Sequence, residues 1–180
     1  YGLKDVRHVA TVMEVGAGYG RVAYVFLRLH PGIRYFIVDI PPALYVSQRY
    51  LSEVFPSKRL FRFKDFNSYM QVQNEIEASD VIFLMPYQLD LLPAKMADLV
   101  IAINCLNEMT PSVREYYFHS VNRLAKGFYF KCHKVAHTPY ENTVREQDYP
   151  VFSDWKKIYW RDCKVQGYYF EAFYSTNHDE

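Results

Sequence analysis

Three glycines alternate with other residues in Gly16-Ala17-Gly18-Tyr19-Gly20, and Glu14 stands two residues before the first of them. Glycine lets the backbone turn sharply and lets a ligand approach the main chain closely. If a helix opens where the glycines end, its free N–H groups and partial positive charge join the site. A nicotinamide dinucleotide site of the form G-x-G-x-x-G needs its third glycine at position 21. Arg21 stands there, which argues against a nicotinamide-dependent oxidoreductase. A carboxylate at Glu14 suits a ligand with a cationic amino group and hydroxyls better than one with a pyrophosphate. Asp39, roughly twenty residues further on, is placed to accept hydrogen bonds from both hydroxyls of a ribose. A tight turn capped by Glu14 explains the glycines alone, but not the glycines together with Asp39. S-adenosylmethionine (SAM) has the ammonium, the ribose and no phosphate.

These residues need elements to hold them. Residues 9–15 read as an apolar strand that runs into the glycines. Val22, Val25, Phe26 and Leu29 then recur at helical spacing until Pro31-Gly32. Residues 35–38 form a second apolar strand ending in Asp39, and Pro41-Pro42 open a helix that lasts to Phe55. Strands apolar on both faces, alternating with helices, predict a parallel sheet covered on both sides. Residues 60–63 are a further candidate strand and 69–78 a polar helix. Residues 81–85 and 98–103 are stronger strands, the latter ending at Asn104. Thr110-Pro111 signals a helix start, with Thr110 as N-cap and Lys126-Gly127 as the stop. Residues 128–132 are a fifth strand, 133–153 an irregular loop or lid over the site, and 168–174 an aromatic strand that serves as a hairpin partner at the sheet edge. The expectation is one α/β domain over 1–180, Rossmann-like, mostly parallel, with helices on both faces and a C-terminal antiparallel strand.

With strand ends and turn in place, the chain resembles the class I SAM-dependent methyltransferases. Their pattern of acidic-x-Gly-x-Gly-x-Gly after the first strand, with an acidic residue ending the second, is present as Glu14, Gly16, Gly18, Gly20 and Asp39. Leu84-Met85-Pro86, Leu92-Pro93 and Ala97-Asp98-Leu99-Val100 look like that family's third strand, loop and fourth strand. More narrowly, Val38-Asp39-Ile40-Pro41 and Asn104-Cys105-Leu106-Asn107-Glu108-Met109 resemble the sugar O-methyltransferases, bacterial proteins usually longer at the N-terminus. The chain starts at Tyr1 and so reads as a fragment missing an N-terminal portion. The resemblance implies SAM as cofactor, held by Glu14, Gly16, Ala17, Gly18, Tyr19, Gly20, Asp39 and Ile40. It also implies Met85, Pro86 and Tyr87 along the adenine, and Asn104 and Cys105 near the methionine part. The family's acidic residue after the third strand is absent, since Tyr87-Gln88 occupies its place, which leaves backbone groups to bind the adenine edge.

Methyl transfer to a hydroxyl needs positioning and a base, and a base contributes typically about 10²–10⁴-fold. The crevice of an open α/β sheet lies beyond the carboxyl ends of its strands. That places Glu108 after the fourth strand, and His133 and His137 after the fifth, as candidates. His133 and Glu108 are the catalytic choices, and Asn107 is a candidate to hold the acceptor. His137 is supported by loop position alone. Cys105 in an apolar setting reads as a buried thiol rather than a nucleophile. No acidic cluster follows the fourth strand, so no metal is expected. Trp155, Trp160, Tyr168 and Tyr169 could form a platform for a sugar ring, or could simply be core.

Composition narrows the partners. Hydrophobic residues make up 50% of the 180, which is enough for a buried core, and 17 Tyr and 13 Phe make the chain rich in aromatics. A net charge of +1, with positive residues scattered among elements, gives no basic face for nucleic acid or an anionic membrane. No run is long enough to span a membrane. The three cysteines lack metal-ligand spacing and fit reduced thiols in the cytoplasm. The reading is therefore a SAM-dependent methyltransferase acting on a hydroxyl of a sugar or glycan. Methylation of another small molecule, and a non-catalytic domain that keeps the fold, are the alternatives.

Overall fold

A computed structural model of the chain describes residues 9–138 and 143–176. In chain order its elements begin with strand β1 (Thr11–Val15), helix α1 (Arg21–Leu29), β2 (Arg34–Val38) and α2 (Pro41–Val54). There follow β3 (Leu60–Phe61), α3 (Gln73–Ala78), β4 (Val81–Leu84), β5 (Leu99–Ile103) and α4 (Pro111–Leu124). The last third contains β6 (Gly127–His133), β7 (Val135–Ala136), β8 (Val144–Arg145), β9 (Lys156–Asp162) and β10 (Tyr169–Ser175). Eight strands form one sheet in the order β3-β4-β2-β1-β5-β6-β10-β9. All neighbours from β3 to β6 pair in parallel, whereas β10 runs antiparallel to both β6 and β9. This is the mostly parallel Rossmann-like sheet read from the sequence, with its antiparallel end.

The parallel strands are continuous apolar runs because both of their faces are covered. Along β1, Val12 and Glu14 face one layer while Met13 and Val15 face the other. The first layer is closed by Ala23 and Leu27 of α1 and Leu44 and Leu51 of α2. Tyr117, Phe118, Val121 and Leu124 of α4 close the second. There the aromatic residues pack ring to ring: Phe118 lies 5.4 Å from Phe128 and 5.6 Å from Phe130, and Trp160 stacks on Phe170 at 4.6 Å. Trp155 stacks on Phe118 at 5.8 Å and donates its ring N–H to Asn122 Oδ1 at 2.8 Å. Both tryptophans belong to the core and form no platform.

Several boundaries differ from the sequence reading, each for a local reason. The strand over 60–63 shortens to the two residues that reach β4, and 69–78 divides into a 3₁₀ turn (Tyr69–Gln71) and α3. Thr110 is the N-cap and Pro111 the first helical residue as expected, but Thr110 makes no side-chain cap bond to the helix; its hydroxyl lies 3.2 Å from that of Ser112. Gly127 does not end α4 but opens β6, where a side chain would meet the Phe173 ring at 3.2 Å. The strand β10 is not the edge, because β9 pairs outside it. The segment 133–153 is not an open loop. It contains the β7–β8 ribbon, and Val144 and Tyr149 from it enter the core. Residues 139–142 of it lie outside the described residues. No helix among the described residues is long and apolar enough to cross a membrane.

Candidate functional site

The sheet order reverses at β1, which has β2 on one side and β5 on the other. Chain segments leaving these strands diverge and open a crevice at their carboxyl ends. The glycine turn fills that position. Gly16, Gly18 and Gly20 all have positive φ (68°, 56° and 89°), a region costly for residues with a Cβ. Gly16 donates its N–H to Val38 O at 2.9 Å, tying the turn to the end of β2. A Cβ on Gly16 would lie 2.5 Å from the Cβ of Cys105, so the turn and the segment after β5 touch at a point that admits no side chain. A Cβ on Gly18 would meet nothing within 4 Å, so open space lies above the turn. Gly20 ends the turn and accepts the N–H of Tyr24 at 2.9 Å in the first turn of α1.

Asp39 comes to this turn as the sequence reading expects. Its Oδ2 accepts the Gly18 N–H at 2.7 Å and its Oδ1 accepts the Ile40 N–H at 2.8 Å. A carboxylate has about four lone-pair positions, so both oxygens keep acceptor capacity toward the open side. Glu14 lies deeper. Only 2% exposed, it accepts the Tyr35 hydroxyl at 2.8 Å through Oε2 on the face covered by α1 and α2. Burial raises its pKa from the usual 4.5 to about 7; the Tyr35 bond opposes the shift and the charge on Asp39 adds to it. Tyr35 was missed in the sequence, where it reads as one more aromatic in an apolar strand.

An unmet acceptor stands on the other side of the crevice. Asn104 follows β5 with φ 58° and donates its N–H to Lys131 O at 2.7 Å. Its side-chain Oδ1 is buried and has no hydrogen-bond partner among the described residues. Next to it the Cys105 thiol donates to Val15 O at 3.2 Å, and burial pushes its pKa well up, which suits an inert packing group.

At the end of β4, Met85 donates its N–H to Gln88 Oε1 at 2.9 Å, and Gln88 Nε2 donates to Lys64 O at 2.9 Å. Gln88 is thus a buried brace for this turn. Pro86 O accepts the Tyr116 hydroxyl at 2.8 Å. The half-exposed Tyr87 donates to Asp65 Oδ1 at 2.6 Å. Asp65 brings to this end of the sheet a carboxylate in place of the one that Tyr87-Gln88 leave out. It arrives from an irregular stretch upstream, which no local motif marks.

Beyond β5 and β6 lies a cavity of about 580 Å³. Its walls include Asn107 and Glu108 from the 3₁₀ turn Leu106–Glu108, and His133 at the end of β6. Val135, Ala136, His137 and Thr138 complete them. Glu108, His133 and His137, derived from separate elements, therefore face one space, together with Asn107. Asn107 is 5% exposed, and its Oδ1 has no hydrogen-bond partner among the described residues. The His133 ring packs 4.2 Å from Tyr169 and 5.7 Å from Tyr168. The Tyr169 phenol is pushed up by burial first and by Tyr168 next, with a smaller push from Glu108 that puts this carboxylate within electrostatic reach. Among the described residues no three His, Cys, Asp or Glu side chains cluster as metal ligands do.

The fold recurs in solved structures of methyltransferases. The chain is similar to the PH0226 protein from Pyrococcus horikoshii OT3 (TM-score 0.66, 14% identity, 96% of this chain and 84% of that one). It is also similar to the S-adenosylmethionine-dependent methyltransferase SibL in its apo form (TM-score 0.62, 16% identity, 96% and 52%). A third is human N-acetylserotonin methyltransferase in complex with SAM (TM-score 0.57, 14% identity, 95% and 48%). The chain thus spans about half the length of the last two. No protein-family model and no curated protein sequence matches it. At these identities the likeness establishes the fold, the methyltransferase type of Rossmann-like sheet.

Proposed function

We propose that the chain binds SAM across the crevice and directs its methyl group to a hydroxyl of an acceptor in the neighbouring cavity. The observation that carries this reading is the segment 104–108. At one end Cys105 packs on Gly16 of the glycine turn, and at the other Asn107 and Glu108 line the cavity. A donor site and an acceptor site are thereby held side by side by one short stretch of backbone, as group transfer requires.

The residues present fit the cofactor. Open space lies above Gly18, Asp39 keeps acceptor capacity for ribose hydroxyls, and the unmet Asn104 Oδ1 suits an ammonium group. Ala17, Tyr19 and Ile40 would border it, with Met85, Pro86 and Tyr87 along the adenine. Glu14, bonded to Tyr35, would act from beneath the turn. When bound, SAM supplies a methyl group on a cationic sulfur that is open to in-line displacement. In the cavity, Asn107 Oδ1 accepts a hydrogen bond from the acceptor hydroxyl and fixes its direction. His133 then takes the hydroxyl proton as general base. Glu108, which lines the same cavity, is the second candidate for that role.

The short motifs Val38-Asp39-Ile40-Pro41 and Asn104–Met109 favour a sugar or glycan as acceptor. The setting proposed is the cytoplasm, where three free thiols stay reduced. Thermal unfolding with SAM, S-adenosylhomocysteine and NAD tests the cofactor. Ligand at about a hundred times its dissociation constant adds roughly 2.7 kcal/mol, a rise of about 5–10 °C for a chain of this size. A rise with the two SAM compounds and not NAD, reduced by Asp39→Ala, is expected. No rise with either would remove the cofactor assignment and leave a non-catalytic domain as the better reading.

A further inference from the structure

We propose that Tyr168 is a specificity-determining residue, the shelf on which the flat face of the acceptor lies while a hydroxyl reaches inward to Asn107. The inference rests on the reading of the cavity as the acceptor site. Of the aromatic residues near this end of the sheet, Trp155 and Trp160 are spent on the core, and Tyr169 is only partly exposed. Tyr168 is different: 59% of it is exposed, at the turn that joins β9 to β10. It is not loose. Its carbonyl accepts the Lys134 N–H at 3.0 Å, and its ring lies 4.7 Å from that of Tyr169. It also stacks on His133, with ring centroids 5.7 Å apart and planes 26° from parallel. The shelf therefore starts at a wall of the cavity and continues outward from it.

Asn107, another residue lining the cavity, is polar and buried. Its side-chain oxygen is enclosed and lacks a partner among the described residues. A buried acceptor in this state is satisfied when a ligand donates to it. Among the described residues that line the cavity there is no Lys or Arg, so an anionic acceptor would find no fixed counter-charge from them. Val135 and Ala136 supply only a small apolar surface. An aromatic shelf beside a cavity that holds a buried, unpartnered acceptor atom selects a neutral ring that carries hydroxyls, and rejects an open chain of the same composition. Stacking supplies affinity, and the buried oxygen supplies orientation.

The test uses the whole chain loaded with S-adenosylhomocysteine, a set of methyl pyranosides, and sorbitol as the open-chain control. Binding is read by saturation-transfer NMR and the cofactor independently by thermal shift. The wild type should bind at least one pyranoside and not sorbitol. Tyr168→Phe should keep that binding and Tyr168→Ala should weaken it roughly tenfold, with the cofactor shift equal in all three proteins. Equal pyranoside binding by Tyr168→Ala, or equal binding of sorbitol, overturns the proposal. So does a wild type that binds no pyranoside while the cofactor shift persists, an outcome that leaves the SAM reading intact. A wild type with no cofactor shift instead breaks the reading beneath it.

Discussion

Glu14 and Tyr35 form a buried pair whose protonation depends on folding. The usual carboxyl value of 4.5 rises to about 7 in the folded chain, so between these values the folded form holds a proton that the unfolded form has released. Stability conferred by that proton is full below 4.5, falls as pH rises through this window, and is gone above 7. A shift of this size corresponds to on the order of 3 kcal/mol. Glu14→Gln keeps the shape and can accept the Tyr35 hydroxyl, but has no charge to bury. Urea unfolding at pH 5 and pH 8 should show the variant gaining on the wild type by on the order of 2 kcal/mol at the higher pH. Parallel changes in the two proteins would show that Glu14 does not titrate in this range. The glycines, Glu14 and Asp39 were legible in the sequence because their spacing follows the chain. Tyr35 and Asp65 were not, since each gains its meaning from a partner across the fold, Glu14 for one and Tyr87 for the other.

Strands and helices of the first half could be read because burial on both faces leaves an unbroken apolar run. At the other end of the sheet β9 escaped notice. Its residues are Lys156, Lys157, Ile158, Tyr159, Trp160, Arg161 and Asp162, four of the seven charged and none fully buried. What makes it a strand is pairing with β10 and the Arg161–Glu171 bond at 2.7 Å, both tertiary. At the opposite end of the strands a single side chain joins elements that local patterns leave separate. Asp98 Oδ2 accepts the N–H groups of Ala10 and Thr11 at 2.9 and 3.0 Å, and its Oδ1 pairs with Lys126 at 2.7 Å. Burial raises its pKa, but Lys126 and the two amides outweigh that and hold it below the usual value. Asp98→Ala removes all of these bonds at the entry to β1, β5 and β6. It should lower the unfolding free energy by about 2 kcal/mol in a denaturant titration. Since Asp98 lies at the opposite ends of these strands from the crevice, the relative effect of SAM on the midpoint should persist.

Over the whole molecule, the candidate base and its helpers come from three separate stretches. Their meeting depends on the sheet order, which places β5 beside β6. Sequence reasoning could name Glu108, His133 and His137 singly through the rule that ligands gather at carboxyl ends of strands. The shared cavity, and the loss of Trp155 and Trp160 to the core, became visible only with the packing. Labelled methyl transfer checks the assignment. His133→Ala should lower kcat by about 10²-fold or more with the SAM-dependent thermal shift unchanged, and Glu108→Gln should lower it less. Near-normal turnover in both variants would remove the base assignment while leaving the cofactor site in place.

The contact between Gly16 and Cys105 makes the molecule a ruler. Since a Cβ at position 16 would sit 2.5 Å from that of Cys105, the glycine turn cannot gain a side chain without pushing the following segment away. That segment carries Asn104 at one end and Asn107 and Glu108 at the other, so on the proposed reading a push at Cys105 shifts the residues that hold donor and acceptor relative to the glycine turn. Gly16→Ala should therefore slow transfer more than it weakens either ligand. Cys105→Gly in the same chain should restore part of the rate by letting the segment settle back. On the proposed reading, the distance between the two reactants is set at a single point of contact, and selection on rate would act there although neither residue is assigned a part in the chemistry.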